Sequence, residues 1–242
     1  MQYTIEIATS DFLTTQAAVK GGADRIELCA NLAEGGTTPS LGQIKKCRDA
    51  FSVSLYPIIR PRGGDFLYTD EEYQIMLQDV LLCKQVGCDG VVIGLLNRDG
   101  TIDLRRTAAL VEAAYPLGVT FHRAFDRCLD PFAALEQLVD IGCERILTSG
   151  QQPAAPDGIE LIAELNRIAA ERIIIMPGSG VRKENIKMLA EKSGCYELHS
   201  SLRGKTRSGM EFIHPAFADS EESYTQNAIN PDEVRALRNA LA

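Results

Sequence analysis

The residues of this chain best suited to acid–base chemistry sit on alternating apolar–polar segments, and their parity puts them on one face. In Tyr3-Thr4-Ile5-Glu6-Ile7, Ile5 and Ile7 alternate with Thr4 and Glu6; in Arg25-Ile26-Glu27-Leu28-Cys29, Ile26 and Leu28 alternate with Arg25, Glu27 and Cys29. Val119-Thr120-Phe121-His122 and Tyr196-Glu197-Leu198-His199 repeat the pattern, and Arg60 closes a similar run after Ile58 and Ile59. Side chains two apart share a face of a strand. With helices over the apolar face, Glu6, Glu27, Arg60, His122, Glu197 and His199 share the other. Histidine beside a carboxylate is suited to general acid–base work, and the arginine fork matches a carboxylate or phosphate. The alternative is a buried layer of ion pairs that does no chemistry, since buried charges are normally paired.

The elements that must position these residues form a string of strand–helix units. Four places share one local phrase: Gly22-Ala23-Asp24-Arg25-Ile26, Gly87-Cys88-Asp89-Gly90-Val91, Gly142-Cys143-Glu144-Arg145-Ile146 and Gly194-Cys195-Tyr196-Glu197. Each follows a helix-like stretch and opens a strand-like run, with Gly as the left-handed helix cap. Strands are predicted over 3–8, 24–29, 53–59, 89–94, 118–122, 144–148, 172–177 and 195–199. Ser40-Leu41-Gly42-Gln43 and Thr69-Asp70-Glu71-Glu72 match the capping box, and Asp130-Pro131 and Asn230-Pro231 open further helices. Eight such units in about 250 residues suit a single-domain (β/α)8 TIM barrel spanning 1–242. An open doubly wound sheet would show near-continuous apolar strands, and only Ile173-Ile174-Ile175-Met176 reads that way. A long polar connection over 200–229 precedes the last helix and departs from the rhythm.

In a barrel, the C-terminal ends of the strands and the loops after them form the active face. That face would gather Glu27 and Cys29, Arg60, His122 with Arg123 and Asp126, and His199 with Ser200. Gly178, Ser179 and Gly180, with a helix expected from near Val181, suit an anion, because glycine allows close backbone approach and helix N-terminal N–H groups point at negative charge. Gly35-Gly36-Thr37-Thr38-Pro39-Ser40 reads equally as a lid or a turn. Cys88, Cys143 and Cys195 stand at strand starts, away from that face, and Cys47 and Cys83 lie within helices. Cys29 and Cys128 alone are placed to join a metal or redox site.

Composition narrows the function classes. The formal net charge of −8 argues against broad nucleic-acid binding, and 45% hydrophobic residues suit a soluble protein with a full core. No apolar run approaches a membrane span, and the first residues lack a signal-peptide pattern, so a cytosolic location is expected. Seven cysteines without a CxxC do not read as a disulfide framework or zinc site.

Several motifs together resemble one family. Glu34-Gly35-Gly36-Thr37-Thr38-Pro39-Ser40, Arg60-Pro61-Arg62-Gly63-Gly64-Asp65-Phe66, Thr120-Phe121-His122-Arg123-Ala124-Phe125-Asp126 and Leu147-Thr148-Ser149-Gly150 closely resemble the CutC family of copper homeostasis proteins. The likeness runs from the first strand to about Ser201. It implies a cytosolic TIM barrel, usually a homo-oligomer (a dimer or tetramer), associated by name with copper binding. Many members carry Cys shortly after the first-strand glutamate, whereas Ile7-Ala8-Thr9-Ser10 follows Glu6 here, which leaves Cys29 as the strand-end thiol for a copper ion that prefers sulfur. Three readings stand: a copper-binding homeostasis protein using Cys29 with His122 or His199; an enzyme acting on a small phosphorylated or carboxylated metabolite through Glu6, Glu27, Arg60, His122, Arg123 and His199; and a silent sensor with the same pocket.

Overall fold

The computed structural model describes residues 3–218 and 224–241. Strands β1 (Thr4–Thr9), β2 (Arg25–Leu28), β3 (Ser54–Pro57), β4 (Gly90–Ile93), β5 (Gly118–Phe121), β6 (Arg145–Thr148), β7 (Ile174–Pro177) and β8 (Glu197–Ser200) alternate with eight helices. These are α1 (Phe12–Gly21), α2 (Leu41–Ala50), α3 (Asp70–Val86), α4 (Leu104–Ala114), α5 (Pro131–Asp140), α6 (Ile159–Ala169), α7 (Ile186–Ser193) and α8 (Pro231–Ala240). The barrel strands pair in parallel in the order β3-β2-β1-β8 and β4-β5-β6-β7. The halves meet where Ile58 bridges to Val92 and where β7 lies beside β8. This is the (β/α)8 barrel that the alternating segments predict.

The helix ends follow local chemistry. Thr69 and Glu72 form a reciprocal capping box at α3, and Asp130 and Asn230 accept the first amides of α5 and α8, each with proline next. Ser40 caps α2 through Gln43 N–H, but the Gln43 side chain turns away to the carbonyls of Ser10 and Cys29. Gly22, Gly87, Gly142 and Gly194 all take positive φ, so the recurrent glycine is the left-handed residue between helix and strand. One expectation fails here. Helix α7 starts at Ile186, because residues 181–185 turn first, with Asn185 bonding back to Gly180 O and Arg182 N. The segment over 200–229 is also more than a loop: β9 (Gly204–Arg207) pairs antiparallel with β10 (Thr225–Ala228), and residues 219–223 lie outside the described ones.

Strand alternation sorts the side chains into two cores. Ile5, Ile7, Ile26, Leu28, Ile146 and Leu198 point outward under the helices and are fully buried. The inward face carries charge. Arg25 bridges Glu6 and Glu197, at 2.5 Å to each carboxylate, and Arg145 reaches Glu197 at 2.6 Å and Thr120 Oγ1 at 3.1 Å. Tyr56 lies across this floor, with its hydroxyl 3.0 Å from Glu144 and both guanidinium groups over its ring. Glycine at position 90 is required there, since a Cβ would come within 2.0 Å of the Tyr56 ring. The ion-pair layer weighed as the alternative to chemistry therefore exists in part, and it forms the base on which the mouth stands. Glu6, Arg25 and Glu197 form it with Arg145, whereas Glu27 and Arg60 pair with no opposite side-chain charge of that layer.

Removing one member of such a layer leaves a buried charge uncompensated. Glu197→Gln removes the carboxylate that Arg25 and Arg145 share, leaving Arg25 with Glu6 alone and Arg145 with the half-exposed Glu144, and equilibrium urea unfolding should register a loss of about 3 kcal/mol. A loss below about 1 kcal/mol would mean that water reaches the barrel floor.

Candidate functional site

Above the floor the barrel opens into a cavity of about 440 Å³ at the C-terminal ends of the strands. Its wall includes Glu27, Arg60, His122, Arg123, Ser179, Gly180, His199 and Ser200, so most of the residues singled out from the sequence meet in one place. Glu6 and Gly178 stand behind the wall. The Gly178 amide is used by Thr148 O, and a side chain at this position would strike Leu147, so the glycine serves close packing of β7.

Strand β8 carries His199 two residues above Glu197, and β1 places Glu6 directly across from it in register. His199 Nδ1 bonds Glu6 Oε1 at 2.7 Å, and its Nε2 faces Glu27 Oε2 at 3.8 Å. Burial alone would raise the Glu6 pKa, but Arg25 and the histidine outweigh it and hold this carboxyl well below the usual carboxylate range. Glu27 has no arginine so close. Burial pushes it up to about 7, against the pull of His199. His199 is itself raised, because bonding to Glu6 and the charge of Glu27 overcome its desolvation. The result is a fixed carboxylate, an oriented imidazole and a carboxyl able to give or take a proton near neutrality.

His122 has the opposite setting. It is buried against Phe66, with ring centroids 4.9 Å apart, and burial together with the charge of Arg60 lowers its pKa to about 3. The Ala124 amide donates to Nδ1 at 3.1 Å, which assigns the proton of the neutral ring to Nε2. That Nε2 is buried and has no hydrogen-bond partner among the described residues.

The arginines divide by partner. Arg60 donates to the carbonyls of Glu34, Gly36 and Gly64, so it clamps the loops after β2 and β3 over the mouth. This resolves the Gly35-Gly36 segment as a tethered rim. Arg123 is held by Asp126 at 2.7 Å and by Ser149 Oγ at 2.8 Å. Arg127, Arg182 and Arg203 also line the cavity, and strand periodicity could not find them because they lie outside the strands. Arg182 bonds Val181 O and Ser200 Oγ, and Arg203 bonds Leu32 O and Ser201 Oγ. None of these three has a carboxylate within ion-pair distance among the described residues. The Ser179, Gly180 and Val181 amides likewise make no hydrogen bond among the described residues, and both Ser179 and Gly180 take positive φ. The backbone there is thus a left-handed turn and not a helix start.

Cys29 does not reach the cavity. Its thiol is fully buried beneath Gly36 and Ile58, and burial, reinforced by Glu27, raises its pKa well above the ordinary thiol value. Soft copper binds thiolate, and a thiol so disfavoured as thiolate, with no group of three metal-ligating side chains among the described residues, does not fit that ion. Cys88, Cys143 and Cys195 are buried just before β4, β6 and β8, opposite the mouth.

The Glu27 setting has a stability signature. A carboxyl raised above its unfolded value of about 4.3 favours folding below that pH, and this contribution is lost as pH rises through the folded value. Glu27→Gln should therefore be more stable than the parent at pH 8, by on the order of 1 kcal/mol or more, and the difference should vanish below about pH 4. Urea unfolding at the two pH values tests it. Equal stability at pH 8 would place Glu27 in contact with bulk water.

Comparison with known proteins agrees with this architecture. The sequence profile of the CutC family matches residues 3–204. A CutC family protein of Chromobacterium violaceum is 46% identical, over 100% of this chain and 99% of its own. A human relative named copper homeostasis protein cutC homolog is 43% identical, over 99% of this chain and 89% of its own. The crystal structure of CutC from Streptococcus agalactiae superposes with a TM-score of 0.79 at 34% identity, covering 83% of this chain and 99% of that one. Phosphoribosylanthranilate isomerase of Pyrococcus furiosus, at 11% identity and a TM-score of 0.59 over 99% of this chain and 98% of its own, shares the barrel fold. From the first strand to the hairpin beyond the eighth, the chain belongs to the CutC family.

Proposed function

We propose that the barrel mouth binds a small anionic metabolite, phosphorylated or carboxylated, and performs acid–base chemistry on it. One observation carries this reading. Five arginines line the cavity (Arg60, Arg123, Arg127, Arg182 and Arg203) against three acidic residues (Glu27, Glu34 and Asp126), in a chain whose formal net charge is −8. Positive charge concentrated in one concavity of an acidic protein focuses the field on an anion. Arg182 and Arg203, without carboxylate partners, and the amides of 179–181 supply the donors. Glu27 and His199 supply a proton-transfer pair beside them.

The human relative's name supports a role in copper homeostasis for this chain as well. On the donor set described above, that role does not run through Cys29 and the barrel mouth. It is carried instead by the turnover or sensing of the anionic ligand.

Calorimetric titration with inorganic phosphate separates these readings. Phosphate should bind saturably, and Arg182→Ala and Arg203→Ala should each weaken it by about tenfold, or about 1.4 kcal/mol. Cys29→Ala should leave Cu(I) affinity unchanged. Absence of phosphate binding together with a tenfold loss of Cu(I) affinity in Cys29→Ala would restore the copper site and remove the metabolite.

A further inference from the structure

We propose that the reaction at this site is a proton shift on a carbon adjoining a carbonyl group, with the Glu27 carboxylate moving the proton and the His122 Nε2–H holding the carbonyl oxygen. The inference rests on the anion reading above and gives it a substrate class: a phosphorylated or carboxylated aldehyde or ketone with a hydrogen and a hydroxyl on the neighbouring carbon.

The geometry defines the two roles separately. His122 has a single orientation, set by Phe66 on its face and by Gly94, where any Cβ would come within 2.3 Å of the ring. With Nδ1 occupied by the Ala124 amide, the one hydrogen-bonding group left on the ring is the Nε2–H donor. A buried donor without an acceptor costs free energy in the empty protein, and a ligand oxygen that accepts it recovers that cost. The ring stays neutral near pH 7, since burial and Arg60 disfavour its charged form. It cannot act as a base through Nδ1, and as an acid it would have to form a bare imidazolate. What it can do is donate a hydrogen bond to an oxygen that gains negative charge, and a donor already in place is worth most at that moment.

Glu27 lines the same cavity and is the buried carboxylate there without an arginine partner; Asp126 is held by Arg123, and Glu34 is exposed. Its ionised form takes the proton from the carbon next to the carbonyl. The C–H bond breaks and an O–H bond forms on Glu27. The electron pair of the broken bond becomes the C=C bond of an enolate, and the carbonyl π pair moves to the oxygen held by His122. With a hydroxyl on that carbon the intermediate is an enediolate: the hydroxyl proton passes to the oxygen held by His122, the carbonyl re-forms on the carbon that lost its hydrogen, and Glu27 returns its proton to the former carbonyl carbon, which completes an isomerisation. No oxidant, reductant or second substrate is consumed. His199, fixed by Glu6 at 2.7 Å and facing Glu27 at 3.8 Å, is a positioning residue that supports the charged state of Glu27 between transfers. A nucleophilic route has less to draw on, because the Cys29 thiol lies outside the cavity.

The test uses phosphoglycolohydroxamate, a stable mimic of a phosphorylated enediolate, against glycerol 3-phosphate, which has the same anion but no enolate-like oxygen. Calorimetry should show the hydroxamate binding at least about 100-fold tighter, as expected of an intermediate mimic. His122→Phe and Glu27→Gln should each reduce that ratio below about tenfold while inorganic phosphate still binds as in the parent, which also reports that both variants fold. If phosphate binds the parent but the two organic ligands bind alike, the proton shift is overturned and the anion reading stands. If neither phosphate nor either organic ligand binds, the anion reading itself falls and takes this inference with it. Should the variants fail to fold, ¹⁵N resonances of the parent decide. They should show His122 as the neutral Nε2–H tautomer from pH 5 to about pH 9, with its Nε2 signal shifting on addition of the hydroxamate. A charged or Nδ1–H His122, or an unmoved signal with the hydroxamate bound, overturns the proposal.

Discussion

One carboxylate links the charged floor of the barrel to the cavity above it. Glu6 gives one oxygen to Arg25 and the other to His199. Below it, Arg25, Glu197 and Arg145 form with Glu6 a buried set of two cations and two anions, and Arg145 also reaches the half-exposed Glu144. Burying four charges is costly, and the arrangement persists only while every member has its partner. The His199 ring therefore takes its position from the most constrained part of the molecule. A site on a β-strand whose second neighbours are ion-paired has little freedom to wander, which is what proton transfer between fixed atoms requires.

The same interior holds two histidines in opposite electrostatic settings. His199 stands among carboxylates, and His122 stands beside Arg60 and an aromatic ring. Arg60 explains much of this contrast. Its guanidinium is neutralised by no carboxylate among the described residues, only by the carbonyl dipoles of two loops, so its charge still acts on the nearby imidazole. Environments that push like groups apart in pKa let one fold keep a proton acceptor and a permanently neutral donor at a single pH.

Much of this was legible in the chain because strand alternation is a short-range code. Glu6, Glu27, His122 and His199 could be placed on one face by counting residues in pairs. The ion-pair floor was half visible. Arg25 opens an alternating segment, while Arg145 precedes Ile146-Leu147, which does not alternate, although both follow the same glycine, small residue and acid before an isoleucine, which puts them at one level of the barrel. Arg127, Arg182 and Arg203 could not be found in this way, since they lie outside the alternating strands and their convergence depends on tertiary closure. Cys29 has the right parity yet the wrong depth, because the rim held by Arg60 covers it. The Val181 helix start failed for a local reason: Asn185 satisfies Gly180 and Arg182 in a turn, and the helix waits until that turn is complete.

The strand pairing has a mechanical consequence. Six of the eight neighbouring pairs form continuous ladders, whereas β3 meets β4 through an isolated bridge and β7 lies beside β8 without a ladder. Ladder hydrogen bonds set much of the free energy of local opening, so the barrel behaves as two stiff half-shells joined along compliant lines. Glu27 and His199 belong to one shell, and His122 and Ser179 to the other. A molecule held by all four is a cross-strut between the shells. Its binding would stiffen the whole wall, so occupancy of the mouth would be felt at seams on both sides of the barrel, beyond the reach of any single contact.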